Sequence, residues 1–252
     1  MVTQNLELTG RKVLVTGASR GIGKAIALDL ARHGAAVMCT GRSQSTLNET
    51  VGEIRNEGGI AESIVCDLSE PSVGRTLVTE TISSLGGLDV VVNNAGMVVD
   101  EDETLEDWLQ VLAVNLTAPF VIADAAARHF KMMRSGKIVN ISSILGVVAE
   151  SKTATSYVTA KHGLIGMSKN MAAKLAPFGI QVNVVAPGYV ATEMTKEDYE
   201  DENFSRGIVA RVPMGRWGLD GDITGIVTFL ATDKAAFITG QTICVDGGWT
   251  CV

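Results

Sequence analysis

The stretch KVLVTGASRGIG, residues 12–23, joins a short apolar run to a glycine-rich turn that opens a helix-like segment. The run 12–17 is rich in valine and nearly continuous in its apolar character, as expected of a strand covered on both faces. After the turn, Ile22, Ile26 and Leu30 recur at helical spacing. The stretch therefore predicts a strand–turn–helix unit, the first unit of a parallel α/β sheet.

The same alternation continues along the whole chain. Because parallel strands are joined by right-handed helical crossovers, it predicts one α/β domain over residues 1–252, a doubly wound parallel sheet of seven strands with helices on both faces. The segment 192–218 breaks the rhythm because it is polar and acidic, which predicts a lid, with an ordinary solvated helix face as the alternative. The strands are expected at 12–17, 35–41, 61–67, 88–94, 136–142, 180–187 and 241–247.

Composition excludes several classes of partner. The 252 residues are 46% hydrophobic and carry a formal net charge of -7, so a nucleic acid or an anionic membrane, each of which needs a basic surface, is not expected as a partner. The start, MVTQNLELTGRK, has no basic region followed by an apolar stretch, and no apolar run reaches the roughly 18 residues of a membrane helix. We therefore expect neither a signal peptide nor a membrane span.

The cysteines and histidines show no metal-ligand spacing. The cysteines are far apart and form no C-x-x-C pair, which favours buried thiols in a reducing compartment over a disulfide or a metal site. A cytoplasmic protein without a bound metal is expected, and no histidine is expected to be catalytic. The residues are Cys39, Cys66, Cys244, Cys251, His33, His129 and His162.

The glycines of the first turn suit a dinucleotide. Gly17 can form the tight turn, Gly21 lets backbone approach a pyrophosphate, and Gly23 lets the helix pack close to the strand. Their spacing is G-x-x-x-G-x-G, which differs from the commoner G-x-G-x-x-G. The turn favours dinucleotide binding, with a tight structural connection as the alternative.

Six motifs occur in order along the chain. They are TGASRGIG (16–23), NNAG (93–96), VLAVNL with Asn115, ISS (141–143), Y-x-x-x-K with Tyr157 and Lys161, and PGYVAT (187–192). Together they make residues 8–248 resemble the short-chain dehydrogenase/reductase family. That resemblance implies a Rossmann-like fold and an oxidoreductase that uses a nicotinamide cofactor. The nearest similarity within the family is to 3-oxoacyl-carrier-protein reductases and to reductases of sugars and small ketones.

The end of the second strand indicates which cofactor is bound. An acidic residue commonly binds the ribose 2′-hydroxyl there, but this chain has Gly41 followed by Arg42. A guanidinium suits a 2′-phosphate, and Arg20 resembles a second cation of the family's NADP-type pattern. NADP(H) is therefore favoured over NAD(H), with Arg42 as a surface helix start as the alternative. Asp67 resembles the family position beside the adenine ring, and it can at the same time be an N-cap of the next helix. The candidate cofactor-binding residues are Gly17, Ser19, Arg20, Gly21, Ile22, Gly23, Gly41, Arg42, Asp67, Leu68, Asn94, Ala95, Gly96, Tyr157, Lys161, Pro187, Gly188, Val190 and Thr192.

The pair Tyr157 and Lys161 carries the expected chemistry. Tyrosine has an ordinary pKa of about 10, and an ammonium one helical turn away lowers it; alone, such a pair is more often a surface contact. By resemblance, Tyr157 donates the proton in reduction, and Lys161 lowers its pKa and holds the ribose. Ser143 binds the substrate oxygen, with Ser142 as the competing candidate, and Asn115 anchors Lys161 through a water molecule.

The sequence says less about the substrate than about the cofactor. The resemblance implies an NADPH-dependent reductase of a small ketone, or of the corresponding alcohol in reverse. The alternatives are a 3-oxoacyl-carrier-protein reductase and a non-catalytic NADP-binding sensor. Arg134 fits a position that meets an acidic carrier protein, whereas Phe178 departs from the second such position.

Two further expectations concern loops and assembly. Tyr157 follows Ser143 by one position more than in many family members, which enlarges the loop before Tyr157 and bears on specificity. The family's long helices, here 103–133 and 155–177, carry wide apolar faces, and the resemblance implies a homotetramer.

Overall fold

The computed structural model describes residues 7–252, so the first half of the segment MVTQNLELTGRK lies outside the described residues. Seven strands form one sheet in the order β3-β2-β1-β4-β5-β6-β7, and all neighbours are parallel. The predicted doubly wound α/β sheet is confirmed. The strands are β1 (Lys12–Thr16), β2 (Ala36–Gly41), β3 (Ile60–Val65), β4 (Val90–Asn93), β5 (Gly136–Ile141), β6 (Ile180–Pro187) and β7 (Thr242–Val245).

Side chains of the central strands alternate between two apolar layers, because successive residues of a strand point to opposite faces. Val13 and Val15 pack in the layer that also contains α1, α2 and α9, whereas Leu14 packs in the layer that contains α3, α5 and α6. Both faces of the sheet are therefore covered by helices. The helices are α1 (Gly21–Arg32), α2 (Gln44–Asn56), α3 (Val73–Leu85), α4 (Leu105–Leu112), α5 (Ala118–Met133), α6 (Thr155–Leu175), α7 (Lys196–Glu200), α8 (Glu202–Arg211) and α9 (Asp220–Ala231).

The segment Leu105–Met133 qualifies the expectation that no apolar run is long enough for a membrane helix. An 18-residue window within it has a mean hydropathy of 1.5, so by length and composition alone it could cross a membrane. Here it folds as α4, a π-helical turn at Ala113–Thr117, and α5. Ile122 and Phe130 of α5 are fully buried in the layer beneath the sheet, as in a core helix, and a core helix meets the same two criteria.

Candidate active site

The carboxyl ends of the parallel strands meet along one edge of the sheet, where they form a cleft of about 620 Å³. Ligands of doubly wound sheets bind at this edge, at the point where the strand order reverses; here β1 and β4 flank that point. Every candidate cofactor-binding residue lines the cleft, and so does Ser143. Asn115 is the one candidate that does not line it.

Two glycines of the turn after β1 are required by close backbone contacts. Gly17 has a φ of 65°, and a Cβ there would lie 2.9 Å from the Cα of Ala95. A Cβ on Gly23 would lie 2.1 Å from the carbonyl oxygen of Gly17. The turn can therefore bring the amino end of α1 to the cleft floor, where its free N–H groups favour a phosphate. These residues fit a dinucleotide.

The hydroxyl groups of Ser143 and Tyr157 lie near each other, and the Ser143 hydroxyl lowers the pKa of Tyr157. Ser143 follows β5, and its Oγ accepts a hydrogen bond from the backbone N–H of Leu145 at 3.1 Å. That bond uses one lone pair of the Ser143 oxygen and does not use its hydroxyl proton. Ser142 points elsewhere, because its Oγ donates to the carbonyl oxygen of Lys161 at 3.0 Å. The orientation of the two side chains therefore favours Ser143, which lies beside Tyr157, and its role toward the substrate stays a prediction.

Lys161 lies one helical turn after Tyr157 on α6 and is buried. Its Nζ donates to the carbonyl oxygen of Ile141 at 3.0 Å and lies 5.5 Å from the centroid of the Tyr157 ring. Burial lowers the pKa of Lys161 to about 8. The pair is therefore part of the cleft wall, and the surface-contact alternative is wrong.

The pKa of Tyr157 moves against the expectation from the sequence. Burial raises it above the ordinary value, because the phenolate loses hydration, and the hydrogen bond with Ser143 offsets part of that rise. Lys161 was expected to lower the pKa of Tyr157, but in this structure desolvation decides the direction. The i, i+4 spacing correctly predicts Lys161 as a neighbour of Tyr157. It gives no information on how strongly burial raises the Tyr157 pKa.

Asn115 lies inside the π-helical turn between α4 and α5, and such turns are frequent at functional sites. Its Oδ1 accepts from the backbone N–H of Met97 at 2.8 Å, and its Nδ2 donates to the carbonyl oxygen of Met97 at 2.7 Å. Asn115 thus holds the strand-to-helix connection after β4. A Cβ on Gly96 would lie 3.4 Å from Asn115 Oδ1 and 3.6 Å from Lys161 Nζ, so Gly96 separates the two side chains. The water link between Asn115 and Lys161 stays a prediction.

At the adenosine end, Arg42 and Asp67 follow β2 and β3. The backbone N–H of Ser69 donates to the Asp67 carboxylate at 2.9 Å and lowers its pKa, and the Arg42 guanidinium lowers it further. Asp67 was offered as an N-cap of the next helix, but α3 begins six residues later at Val73. The carboxylate caps a local turn instead.

The sequence missed several residues of the cleft wall. Some follow the recognised motifs directly, so continuing NNAG and PGYVAT along the chain would have found them. Others come from α4 and the β3 end and had no local signal. The additional lining residues are Cys66, Ser69, Met97, Val98, Gln110, Val114, Ile141, Glu193, Met194 and Thr195.

Glu103 is a further residue that the sequence did not indicate. Helix α6 begins after Ala154, which offers no side-chain cap. The carboxylate of Glu103 accepts from the backbone N–H of Ser156 at 3.0 and 3.2 Å. A carboxylate at the amino end of a helix stabilises the helix, because it accepts from a free N–H group and is attracted by the positive end of the helix dipole. Glu103 therefore fixes the helix end that carries Tyr157.

One side of the segment 192–218 packs against apolar residues, although its sequence is polar and acidic. It contains α7 and α8, and Ile208, Val212 and Trp217 are buried in a small core with Trp249. The ring of Tyr189 packs edge-on against Trp217, with centroids 5.5 Å apart. The alternative of a plain solvated helix face is therefore incomplete, because one side of the segment is anchored by aromatic residues.

Arg134 and the histidines lie outside the cleft wall. Arg134 is exposed at the end of α5, and its guanidinium donates to the carbonyl oxygen of Pro177 at 3.2 Å. His162 is exposed, with Nδ1 3.0 Å from the Val158 carbonyl oxygen. Within residues 7–252, no three His, Cys, Asp or Glu side chains are grouped to hold a metal ion.

Comparison with known proteins agrees with this geometry. Residues 17–250 match a family described as enoyl-(acyl carrier protein) reductase. The 2-dehydro-3-deoxy-D-gluconate 5-dehydrogenase of Bacillus subtilis is 38% identical over 96% of this chain and 95% of that protein. The 3-oxoacyl-acyl-carrier-protein reductase of Staphylococcus aureus is 40% identical over 94% and 97%.

A solved structure shows the same fold with cofactor present. The gluconate 5-dehydrogenase of Burkholderia cenocepacia, in complex with NADP and tartrate, superimposes with a TM-score of 0.93 at 36% identity, over 99% of this chain and 98% of that one. Sequence similarity and fold similarity both extend over nearly the whole chain. On this evidence the chain belongs to the short-chain dehydrogenase/reductase family.

Proposed function

We propose that this protein is an NADPH-dependent reductase, reversible as a dehydrogenase, that acts on the carbonyl group of a small ketone. One observation carries the proposal: the hydroxyls of Ser143 and Tyr157 meet beside buried Lys161, in the cleft that begins at the glycine turn. When bound, the nicotinamide supplies a hydride to the carbonyl carbon in reduction and accepts it in oxidation. The residues of the chain have to handle the matching proton.

Tyr157 gives its hydroxyl proton to the carbonyl oxygen as the hydride arrives at carbon, so the product is a neutral alcohol. Ser143 donates a hydrogen bond to the same oxygen and stabilises the charge that develops there. Its Oγ is oriented for this because it already accepts from Leu145. Lys161, as an ammonium, stabilises the phenolate that remains, and solvent returns the proton.

NADP(H) is the proposed cofactor because Arg20 and Arg42 line the cleft and no acidic residue ends β2. The NADP in the Burkholderia cenocepacia relative supports the choice. The test is a titration with NADPH and with NADH, for the native protein and for Arg42→Ala. We expect the native protein to prefer NADPH by about tenfold or more and the variant to lose most of that preference. Equal affinity for both cofactors in the native protein would overturn the assignment.

For the substrate, a free small carbonyl compound is proposed over a carrier-bound one. The relatives' names include gluconate dehydrogenases and 3-oxoacyl-acyl-carrier-protein reductases, so both classes belong in the assay. Two observations count against a substrate bound to an acidic carrier protein. The Arg134 guanidinium bonds to Pro177 outside the cleft wall. The net charge of -7 also disfavours binding of an acidic protein. We further propose that the segment 192–218 closes over the substrate as a lid.

A panel of small ketones, keto-sugar acids and a 3-oxoacyl thioester, read by NADPH absorbance, tests this proposal. The expected result is turnover of at least one free carbonyl compound with higher kcat/KM than that of the thioester. Turnover of the thioester alone would favour the carrier-protein alternative. No turnover of any compound, with NADPH bound, would leave the sensor alternative and overturn the enzyme proposal.

We propose a homotetramer in the cytoplasm. Large apolar side chains remain exposed on α4 and α5, including Leu105, Leu109 and Met132, and such faces mark interaction surfaces. The four cysteines are unpaired in the described residues, which supports a reducing compartment. Light scattering after gel filtration tests the assembly, and a monomer at micromolar concentration would contradict it.

A further inference from the structure

An ion pair joins the two walls of the cleft at the mouth of the cofactor site. Arg20 lies at the N-cap of α1 in the glycine turn, and its guanidinium is 3.2 Å from the Glu193 carboxylate. Glu193 begins the 3₁₀ turn that follows β6. The walls nearly touch here, because a Cβ on Gly21 would lie 3.6 Å from the Cβ of Thr192.

The backbone around Glu193 is held firmly. The Thr195 hydroxyl donates to the carbonyl oxygen of Val190 at 2.6 Å, and the backbone N–H of Thr192 donates to the same hydroxyl oxygen at 3.0 Å. Glu193 therefore starts from an anchored turn that faces Arg20. Both side chains line the cleft. The Glu193 carboxylate therefore occupies donors of Arg20 that an anionic ligand of the cleft would use.

We propose that Glu193 competes with the phosphate of the dinucleotide for Arg20 and thereby sets the affinity for NADPH. This inference rests on the proposed function, which assigns Arg20 to the 2′-phosphate. A guanidinium offers the same planar set of donors to a carboxylate and to a phosphate. Phosphate binding therefore has to displace the Glu193 carboxylate from the Arg20 guanidinium.

The size of the effect follows from exposure. The side chains of Arg20 and Glu193 are 62% and 61% exposed, so solvent screens their attraction, and exposed pairs contribute little. Removing the Glu193 charge is therefore expected to tighten NADPH binding by about two- to fivefold. NADH lacks the 2′-phosphate, so its binding is expected to change less.

The test is direct titration of NADPH and NADH, without substrate, into Glu193→Gln and into Glu200→Gln. Glu200 is a matched control, because it pairs with Lys196 at 3.8 Å in the same segment and is equally exposed. We expect Glu193→Gln to bind NADPH more tightly and Glu200→Gln to match the native protein. In an Arg20→Ala background the effect of Glu193→Gln should disappear.

Hydrogen exchange of the cofactor-free protein gives a second readout. If the pair ties the turn to the opposite wall, residues 193–200 exchange faster in Glu193→Gln than in the native protein, while Glu200→Gln leaves residues 193–195 unchanged. Unchanged exchange at residues 193–195 in Glu193→Gln counts against a tie between the walls.

The outcomes separate this inference from the proposed function. If Arg20→Ala weakens NADPH but Glu193→Gln binds it no better than Glu200→Gln does, the phosphate assignment stands and the competition is refuted. Tightening that persists in the Arg20→Ala background also refutes it. If Arg20→Ala leaves NADPH affinity unchanged, the assignment of Arg20 and this inference fall together.

Discussion

Tyr157 and Tyr189 occupy two regions near the same cleft, and burial raises the pKa of both. Tyr157 lines the cleft with Ser143 and Lys161 beside it. Tyr189 lies behind the wall, among aromatic rings, and donates a hydrogen bond to the Glu150 carboxylate. The Tyr157 hydroxyl has the Ser143 hydroxyl beside it, whereas the Tyr189 hydroxyl faces an anion.

The difference teaches which tyrosine can exchange a proton. The Glu150 carboxylate accepts a hydrogen bond from the Tyr189 hydroxyl and raises the pKa of Tyr189 further, because a phenolate next to a carboxylate is unfavourable. For Tyr157, by contrast, the Ser143 hydroxyl offsets part of the rise in pKa that burial causes. The hydrogen bond from Tyr189 to Glu150 is therefore structural, and Tyr157 is the proton donor of the proposed reaction.

The largest test of this comparison replaces each hydroxyl. Tyr157→Phe is expected to lower kcat by about a thousandfold, because general acid catalysis of this kind contributes about 10²–10⁴, and to leave NADPH affinity within about twofold. Tyr189→Phe should retain kcat within about threefold. The measurements are turnover on the best ketone of the panel and a cofactor titration.

The reverse order of effects would break the comparison. If Tyr189→Phe abolished turnover and Tyr157→Phe did not, the proton donor would lie behind the present cleft wall. A circular-dichroism melt of both variants is the control, because it separates loss of chemistry from loss of fold.

The second prediction uses the depressed pKa of Lys161, about 8 against an ordinary value of 10.5. Between these values the unfolded chain binds a proton that the folded protein does not, so this residue makes stability rise with pH. Against Lys161→Met, the native protein should gain about 2 kcal/mol of unfolding free energy between pH 8 and 9.5. Urea unfolding at both pH values measures the difference.

Comparison with Lys161→Met is needed because other groups titrate nearby. Burial raises the pKa of Cys39 to about 12, and that thiol has the opposite effect on stability above pH 9. Cys39 is present in both proteins, so its contribution cancels. A difference that stays flat with pH would contradict a depressed pKa for Lys161.

Part of this site could be predicted from the sequence. The strands and the cleft edge could be predicted, because apolar runs alternate with helical segments and parallel strands share one carboxyl edge. Tyr157 and Lys161 could be paired from their spacing on one helix. The ion pair of Arg20 with Glu193 could not, because it joins residues 173 positions apart whose approach depends on two loop conformations.

The direction of the Tyr157 pKa shows a second limit. Spacing reveals the neighbouring ammonium, but desolvation depends on every side chain that covers the hydroxyl, and these come from distant segments. The hydrogen bond between Glu103 and Ser156 could not be predicted either, because it joins residues 53 positions apart. The acidic loop that contains Glu103 carries no local pattern that indicates it.

The third prediction concerns that tie. Glu103→Ala removes the acceptor for the Ser156 N–H and is expected to cost about 1 kcal/mol of unfolding free energy, as other helix caps do. Because Tyr157 is the next residue, kcat should also fall, by up to about tenfold. Glu101→Ala, an exposed substitution in the same loop, is the control. A loss of equal size in both variants would show that the loop, and not the tie, is responsible.

The smallest effect is expected at the partner of Tyr189. Glu150→Gln keeps an oxygen that accepts from the Tyr189 hydroxyl and removes the charge that lies 3.8 Å from Arg211. Arg211 keeps its place over the Trp249 ring, 3.9 Å from the centroid, and a half-exposed ion pair contributes less than about 1 kcal/mol. We therefore expect kcat within about twofold and KM within about threefold of the native values. A loss of kcat comparable to that of Tyr157→Phe would place Glu150 and Tyr189 in the proton path, because removal of a structural charge leaves the reacting groups where they are.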